Sequence, residues 1–350
     1  MGLCVCGRMG IKSILLIVLL FFVCGTAFGA DPVPAASANT KELVSPGGSK
    51  KAFTFSKDLE VEFLMSAGPR KDELDWSIAG STAGTNPDVL SELAWTSVDS
   101  YQITLANRSR FRRHIYCRTL FDYAWVQDGT VRDSDYDGDS HTLEWSRSIS
   151  ESTGDEMWDF STGIGYAFIM IDNRLLVAPM VGLSFNKQNL RIRNGDQVVS
   201  TRSPAPAVGP LSSQLNSTYF ARWFGPWIGC DLLYRMGKQH PDYLAMQFGL
   251  SAELHYADYY GEGNWNLRSD LGHPKSFEHD AEGYGICISG EWRIGLTPRW
   301  NLNLTANYQY WDTGTGTDRK FLAAGGTAVT LLNGVTWSSS SFMVGASYQF

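Results

Sequence analysis

Alternation of period two runs through this 350-residue chain from about residue 53 to its last residue, and it limits the fold more than any other feature. Tyr284, Ile286, Ile288, Trp292 and Ile294 interleave with Gly285, Cys287, Ser289, Glu291 and Arg293. After the turn at 295–298, Trp300, Leu302, Leu304, Ala306, Tyr308 and Tyr310 interleave with Asn301, Asn303, Thr305, Asn307 and Gln309. Phe342, Val344, Ala346, Tyr348 and Phe350 close the chain in the same way. Residues two apart on a strand share a face, so each run has one apolar and one polar side. A soluble sandwich would alternate too. The runs here reach roughly 10–20 residues, against the five or six of soluble strands. Their apolar faces begin and end in Trp, Tyr or Phe, as membrane-interface girdles do. Their other faces stay small, polar or charged, which suits a wet lumen. The pattern predicts an all-β, up-and-down transmembrane barrel, and 13 % aromatic residues is ordinary for one.

The amino terminus fits export. Arg8 and Lys12 precede the apolar run Ile14–Val23, and small residues follow up to Ala27-Phe28-Gly29, the layout of a secretory signal peptide over 1–29. The run is too short for a membrane helix, which needs about 20 residues. Residues 30–52, rich in Pro, Ala, Ser and Gly, read as a flexible leader before a barrel over 53–350. Losing Arg8 and Lys12 takes the net charge from −7 to −9. That balance argues against nucleic acid and favours cationic substrates or metal ions. Cys117, Cys230 and Cys287 remain, an odd and widely spaced set that is no disulfide framework, although one pair could oxidise after export.

Ten strands are predicted, over 53–66, 87–107, 110–127, 149–171, 174–194, 217–236, 242–260, 277–295, 299–314 and 336–350. Short turns (at 107–109, 172–173, 236–241 and 296–298) alternate with long segments, 67–86, 128–148, 195–216, 261–276 and 315–335. Short periplasmic turns and long extracellular loops are the expected asymmetry, and an even count closes the barrel.

The second long segment carries Asp133-Ser-Asp135-Tyr-Asp137-Gly138-Asp139 and Glu144. Asp133, Asp135, Asp137 and Glu144 fit a D-x-D-x-D-G-x5-E calcium loop, in which alternate carboxylates converge on a hard cation. The flanks read as strands instead of helices, so the match is to a calcium-binding extracellular loop and not an EF-hand, with a solvated acidic loop as the competing reading.

The strand order, with Ser91-Glu-Leu-Ala-Trp95, Asp133-Ser-Asp135-Tyr136, Arg222-Trp-Phe-Gly-Pro-Trp-Ile-Gly229 and the closing Tyr348-Gln-Phe350, resembles the omptin family of outer-membrane endopeptidases from about residue 55 onward. The resemblance is distant. It implies a ten-stranded barrel with a cleft at the extracellular rim, acting on cationic peptides or proteins. Asp133 and Asp135 would match the first catalytic pair and hold the attacking water; i and i+2 on a strand share a face, and close carboxylates perturb each other's pKa. Glu73 would match an acidic residue that receives a basic substrate side chain. The family's Asp-x-His pair falls on Asn266-Leu-Arg268, an amide and a permanently charged guanidinium that cannot act as a general base. Asp270 and His273 are the nearest replacements, and His279-Asp280 a further pair. Arg222 and Lys187 match basic residues that hold lipopolysaccharide on the family's outer wall, and outer-membrane lipid is the partner any such barrel has.

No G-x-S-x-G, H-E-x-x-H, zinc spacing or phosphate loop occurs. Glu253, Glu291, Arg293 and Asp159 fall on lumen faces and read as a salt-bridged plug, with His255 beside Glu253; ten strands are too few for a porin-type channel. Two functions follow: an omptin-like surface endopeptidase with an incomplete site and no required cofactor, or a non-catalytic barrel serving as adhesin, binding surface or structural protein.

Overall fold

The computed structural model describes residues 58–236 and 245–350; the signal-peptide and leader segments, 1–29 and 30–52, lie outside the described residues. The described strands are β1 (Leu59–Ile78), β2 (Ser91–Phe111), β3 (Ile115–Gly138), β4 (Thr142–Glu151), β5 (Glu156–Tyr166), β6 (Phe168–Met170), β7 (Leu175–Ser200), β8 (Gly209–Pro210), β9 (Ser217–Met236), β10 (Met246–Asn264), β11 (Phe277–Gly295), β12 (Trp300–Thr313), β13 (Gly316–Phe321) and β14 (Thr327–Gln349). β4, β5 and β6 follow one another against β7, and β12 and β13 both bridge β11 to β14. The segments therefore make ten antiparallel staves, with β8 a short ribbon on β7. β1 pairs with β14 from Glu62↔Gln349 to Ile78↔Leu332, so no edge is left open.

The staves run further than the alternation suggested. β1 continues through 67–78, and β3 reaches Gly138 before β4 returns at Thr142, so most of 67–86 and 128–148 is strand and not loop. Likewise β13 and β14 form a hairpin inside 315–335. The first short turn lies at 112–114 and not 107–109, because Arg108 stays in strand and bonds Glu291 at 2.6 Å in the lumen.

The reason is an inversion of the pattern along each stave. In the lower part, lipid-facing side chains are apolar: Tyr284, Ile286, Ile288 and Trp292 on β11 are all exposed. From Tyr284 to Trp292 the strand rises roughly 27 Å before tilt, which matches a hydrocarbon band about 25 Å tall. The lower lumen is ionic. Arg70 bonds Asp72 (2.8 Å) and Asp159 (2.7 Å), Arg118 bonds Asp231 (2.9 Å) and Glu253, and Arg293 bonds Glu62 (3.0 Å) and Glu291 (3.2 Å). The expected plug is there, and each of these arginines is paired, as burial of charge demands. Above the band the phase reverses. Lys71, Glu73 and Asp75 face out while Leu74, Trp76 and Ile78 face in.

The inward apolar residues of the upper part build a dry core across the barrel. Trp311 stacks on Trp337 at 5.9 Å, Trp223 lies 5.7 and 6.2 Å from them, and Trp95 stacks on Tyr219 at 5.2 Å. Gly285 makes room for this layer: a Cβ there would lie 2.4 Å from the Trp311 ring. Every ring is almost fully buried, so this aromatic floor divides the ionic lumen below from the mouth above.

Candidate functional site

The mouth holds a cavity of about 510 Å³ above the floor. β3 contributes Asp133 and Asp135, whose i, i+2 spacing turns both inward. Their neighbours across the ladder are Ser148 and Leu93 for Asp133, and Ser146 and Ser91 for Asp135. Burial, with Asp135 beside it, holds the Asp133 carboxyl well above the usual carboxylate range, and Arg268 offsets part of the effect. Asp135 is raised by burial too, against the Ser91 and Ser146 hydroxyls, Arg268 and Lys320, which favour its ionised form. The two carboxyls interact, so the first proton is lost and the second held as a property of the pair.

β11 stands five staves from β3 in a ring of ten, on the opposite wall. Asp318, on the adjoining β13, lines the cavity with Lys320. Behind Asp318 lies His279, fully buried, with Nε2 at 3.3 Å from Asp318 Oδ1 and Nδ1 at 3.0 Å from the Tyr219 hydroxyl. Tyr219 and Tyr259 share a hydrogen bond of 2.6 Å, and Trp76 closes edge-on over the imidazole at 4.9 Å. Trp76, Trp145, Trp265 and Phe277 supply apolar wall to the cavity.

Several expected positions fall elsewhere. Glu73 faces outward, because Asp72 and Leu74 take the inward places on either side of it. Asp270 is tied to Arg268 at 2.7 and 2.8 Å, and His273 to Asn264 (2.9 Å) and the Arg268 carbonyl (3.1 Å); both are exposed and neither lines the cavity. Asn266 caps local backbone, accepting from the Asn216 amide at 2.9 Å. Arg268 does face the aspartate pair, so a cation stands where the family's base would be. His279 is a wall residue, but its partner is Asp318 and not Asp280, which points outward. The two lie too far apart in sequence for any local motif to join them.

The calcium set does not converge. The segment is a strand hairpin; Asp137 is held by Arg202 at 2.6 Å and Glu144 by Arg147, while Asp133 and Asp135 turn into the cavity. Among the described residues, three metal-ligating side chains come together only at Glu253, His255 and Cys287, far below the mouth. On the outer wall Lys187 and Arg222 are cross-strand neighbours. Arg222 lies over Tyr260 at 5.3 Å and Lys187 over Phe220 at 5.3 Å, just above lipid-facing Phe224. Leu183 and Phe185 beside them belong to the apolar wall.

A family model described as "Pom: Protochlamydia outer membrane protein" matches residues 64–350. The chain belongs to this family. A search of curated proteins returns no match. Among solved structures, the outer membrane protease OmpT from Escherichia coli superposes with a TM-score of 0.67 at 13 % identity, covering 86 % of this chain and 100 % of its own. The outer membrane protein OprG and a FadL homologue, both from Pseudomonas aeruginosa, match at 10 % and 9 % identity with TM-scores of 0.31 and 0.28, covering 83 % of this chain and 95 % and 90 % of their own. The Pom-family chain is thus an outer-membrane β-barrel with the fold of OmpT, and membrane lipid surrounds its lower wall.

Proposed function

We propose that the mouth is a surface cleft that captures cationic peptide segments, with the Asp133–Asp135 pair as the seat for a lysine or arginine side chain. The observation that carries this is the pair itself: two carboxyls crowded on one wall of a partly apolar cavity. Their mutual repulsion is only partly relieved by Arg268, which is already bound to Asp270. An incoming cation relieves the rest, and the tryptophan walls favour the guanidinium and the aliphatic stem. Both carboxyls lie above their usual range, so a cationic side chain competes with protons. Affinity therefore falls on acidification, and does so earlier than for ordinary aspartates. The refolded barrel should bind fluorescent peptides with paired basic residues and ignore acidic ones of equal length. Asp133→Asn should weaken binding about tenfold or more, the effect of losing one charged partner of about 1.4 kcal/mol or more. Equal affinity for both peptides sinks the proposal.

Hydrolysis of the captured peptide is a second reading, supported by Asp318 and His279 on the wall opposite the aspartates. Mass spectrometry of the same mixtures tests it: wild-type cleavage abolished by Asp318→Asn supports it, and intact peptide after prolonged incubation ends it. Lipopolysaccharide at Lys187 and Arg222 is a further part of the proposal, since two adjacent cations above the apolar wall suit lipid phosphates. Thermal stability gained on adding lipopolysaccharide should drop in the Arg222→Ala barrel; an unchanged gain rejects that contact.

A further inference from the structure

Below the aromatic floor a second cavity of about 130 Å³ lies inside the membrane-spanning lumen. On its wall Glu253, His255 and Cys287 bring a carboxylate oxygen, an imidazole nitrogen and a sulfur within 4.8 Å of one another. Glu253 and His255 share the inward face of β10, two residues apart, and Cys287 stands directly opposite Glu253 on β11. The ladder register therefore fixes all three donors on one patch of wall.

Neighbouring groups orient these donors as an outer shell orients metal ligands. Ser184 Oγ lies 3.0 Å from His255 Nδ1, which leaves Nε2 turned into the group, 2.9 Å from Glu253 Oε2. A hydroxyl donates or accepts, so Ser184 suits either imidazole tautomer. Arg118 holds Glu253 through Oε1 and leaves Oε2 on the side of His255. His255 is only 4 % exposed, and its ring packs against Trp311 at 4.7 Å. A hydrogen bond between imidazole and carboxylate accounts for Glu253 and His255 alone. It leaves Cys287 unexplained, a thiol among polar atoms that donates to Gln309 Oε1 at 3.8 Å.

We propose that Glu253, His255 and Cys287 bind a thiophilic divalent cation of the zinc class, with the fourth position open to the cavity for water. One thiolate and one carboxylate neutralise a divalent ion, so the occupied group carries no net charge in a lumen ringed by lipid. Arg118 stays balanced by Asp231. Zinc bonds of about 2.0–2.3 Å place tetrahedral donors about 3.5 Å apart, so closure takes side-chain shifts of about 1 Å. Binding releases the Cys287 thiol proton to solvent and moves the imidazole proton from Nε2 to Nδ1, with no change of oxidation state.

Refolding the whole chain with cobalt(II), a spectroscopic stand-in for zinc, tests this. The folded barrel, recognised by its heat-shifted gel mobility, should bind one equivalent, show a thiolate-to-cobalt charge-transfer band and lose it on adding zinc. Cys287→Ser should abolish the band. His255→Gln keeps the thiol and should weaken binding at least tenfold, which covers the case of a Cys287→Ser barrel that does not fold. A folded wild type without the band overturns the proposal. So does a band of equal strength in folded Cys287→Ser or an unchanged affinity in His255→Gln.

Discussion

The two halves of the barrel are turned inside out relative to each other, and β14 shows the switch on a single strand. Its inward face reads Val335, Trp337, then Ser339, Ser341; its outward face reads Thr336, Ser338, Ser340, then Phe342, Val344. The lower half puts apolar side chains against lipid and keeps its polar groups inside, where arginine–carboxylate bonds hold it together. The upper half stands in water, so burial of its inward aromatics becomes the main driving force. One strand therefore serves two solvents, and only the phase of its alternation changes.

The comparison breaks or sharpens under substitution. The largest effect is expected at Arg70, whose removal leaves Asp72 and Asp159 buried without their cation. Arg70→Leu should cost about 3–5 kcal/mol in urea unfolding followed by tryptophan fluorescence. A loss below about 1 kcal/mol would mean that the lower lumen is wet enough to screen its charges. Trp337→Ala should cost a similar 3–5 kcal/mol by opening the floor. Ser339→Ala, two residues lower on the same face, should stay below about 1 kcal/mol, and equal responses would dissolve the distinction between the halves. Outside, Val344→Arg should cost about 2–4 kcal/mol where lipid touches the wall. Thr130→Arg, outward on the upper part of β3 between Thr96 and Glu151, should change stability by no more than about 0.5 kcal/mol. A modest effect concerns Asp75, outward in the upper half. Burial, with Asp312, Glu92 and Glu73 nearby, pushes its carboxyl up to about 6. A folded value above the unfolded one means stability that is present at low pH and lost as pH rises through about 6. After allowance for its exposure the loss is on the order of 1 kcal/mol. Asp75→Asn should flatten that slope, and an unchanged slope assigns the titration elsewhere.

The same contrast explains what the sequence could reveal. Lipid demands apolar side chains at every outward position whatever the partner strand, so Tyr284–Trp292 and Phe342–Phe350 announced themselves. In Pro69–Ile78 the phase inverts and charges crowd the outward places, which reads locally as a loop. The omptin resemblance puts Glu73 at the cleft; the strand continues and turns it away. Asp133 and Asp135 were legible because their pairing depends only on i, i+2 geometry. The resemblance also puts Arg268 at the cleft, where it faces them. The Asp318–His279 pair was not legible, since it depends on a hairpin inside an expected loop and on a register between separate staves. Nor could composition show that Arg202 and Arg147 occupy two of the four carboxylates of the calcium pattern.

The stacked indoles of the floor have an optical consequence. Trp311 and Trp337 lie nearly parallel at 5.9 Å, and Trp223 stands 6.2 Å from Trp337. Rings held this close in a chiral arrangement couple their electronic transitions, giving a paired circular-dichroism signal that the strands do not produce. That signal reports whether the extracellular half is packed, independently of whether the membrane half has inserted. A refolding trace at two wavelengths would therefore show in which order the two solvents claim the chain.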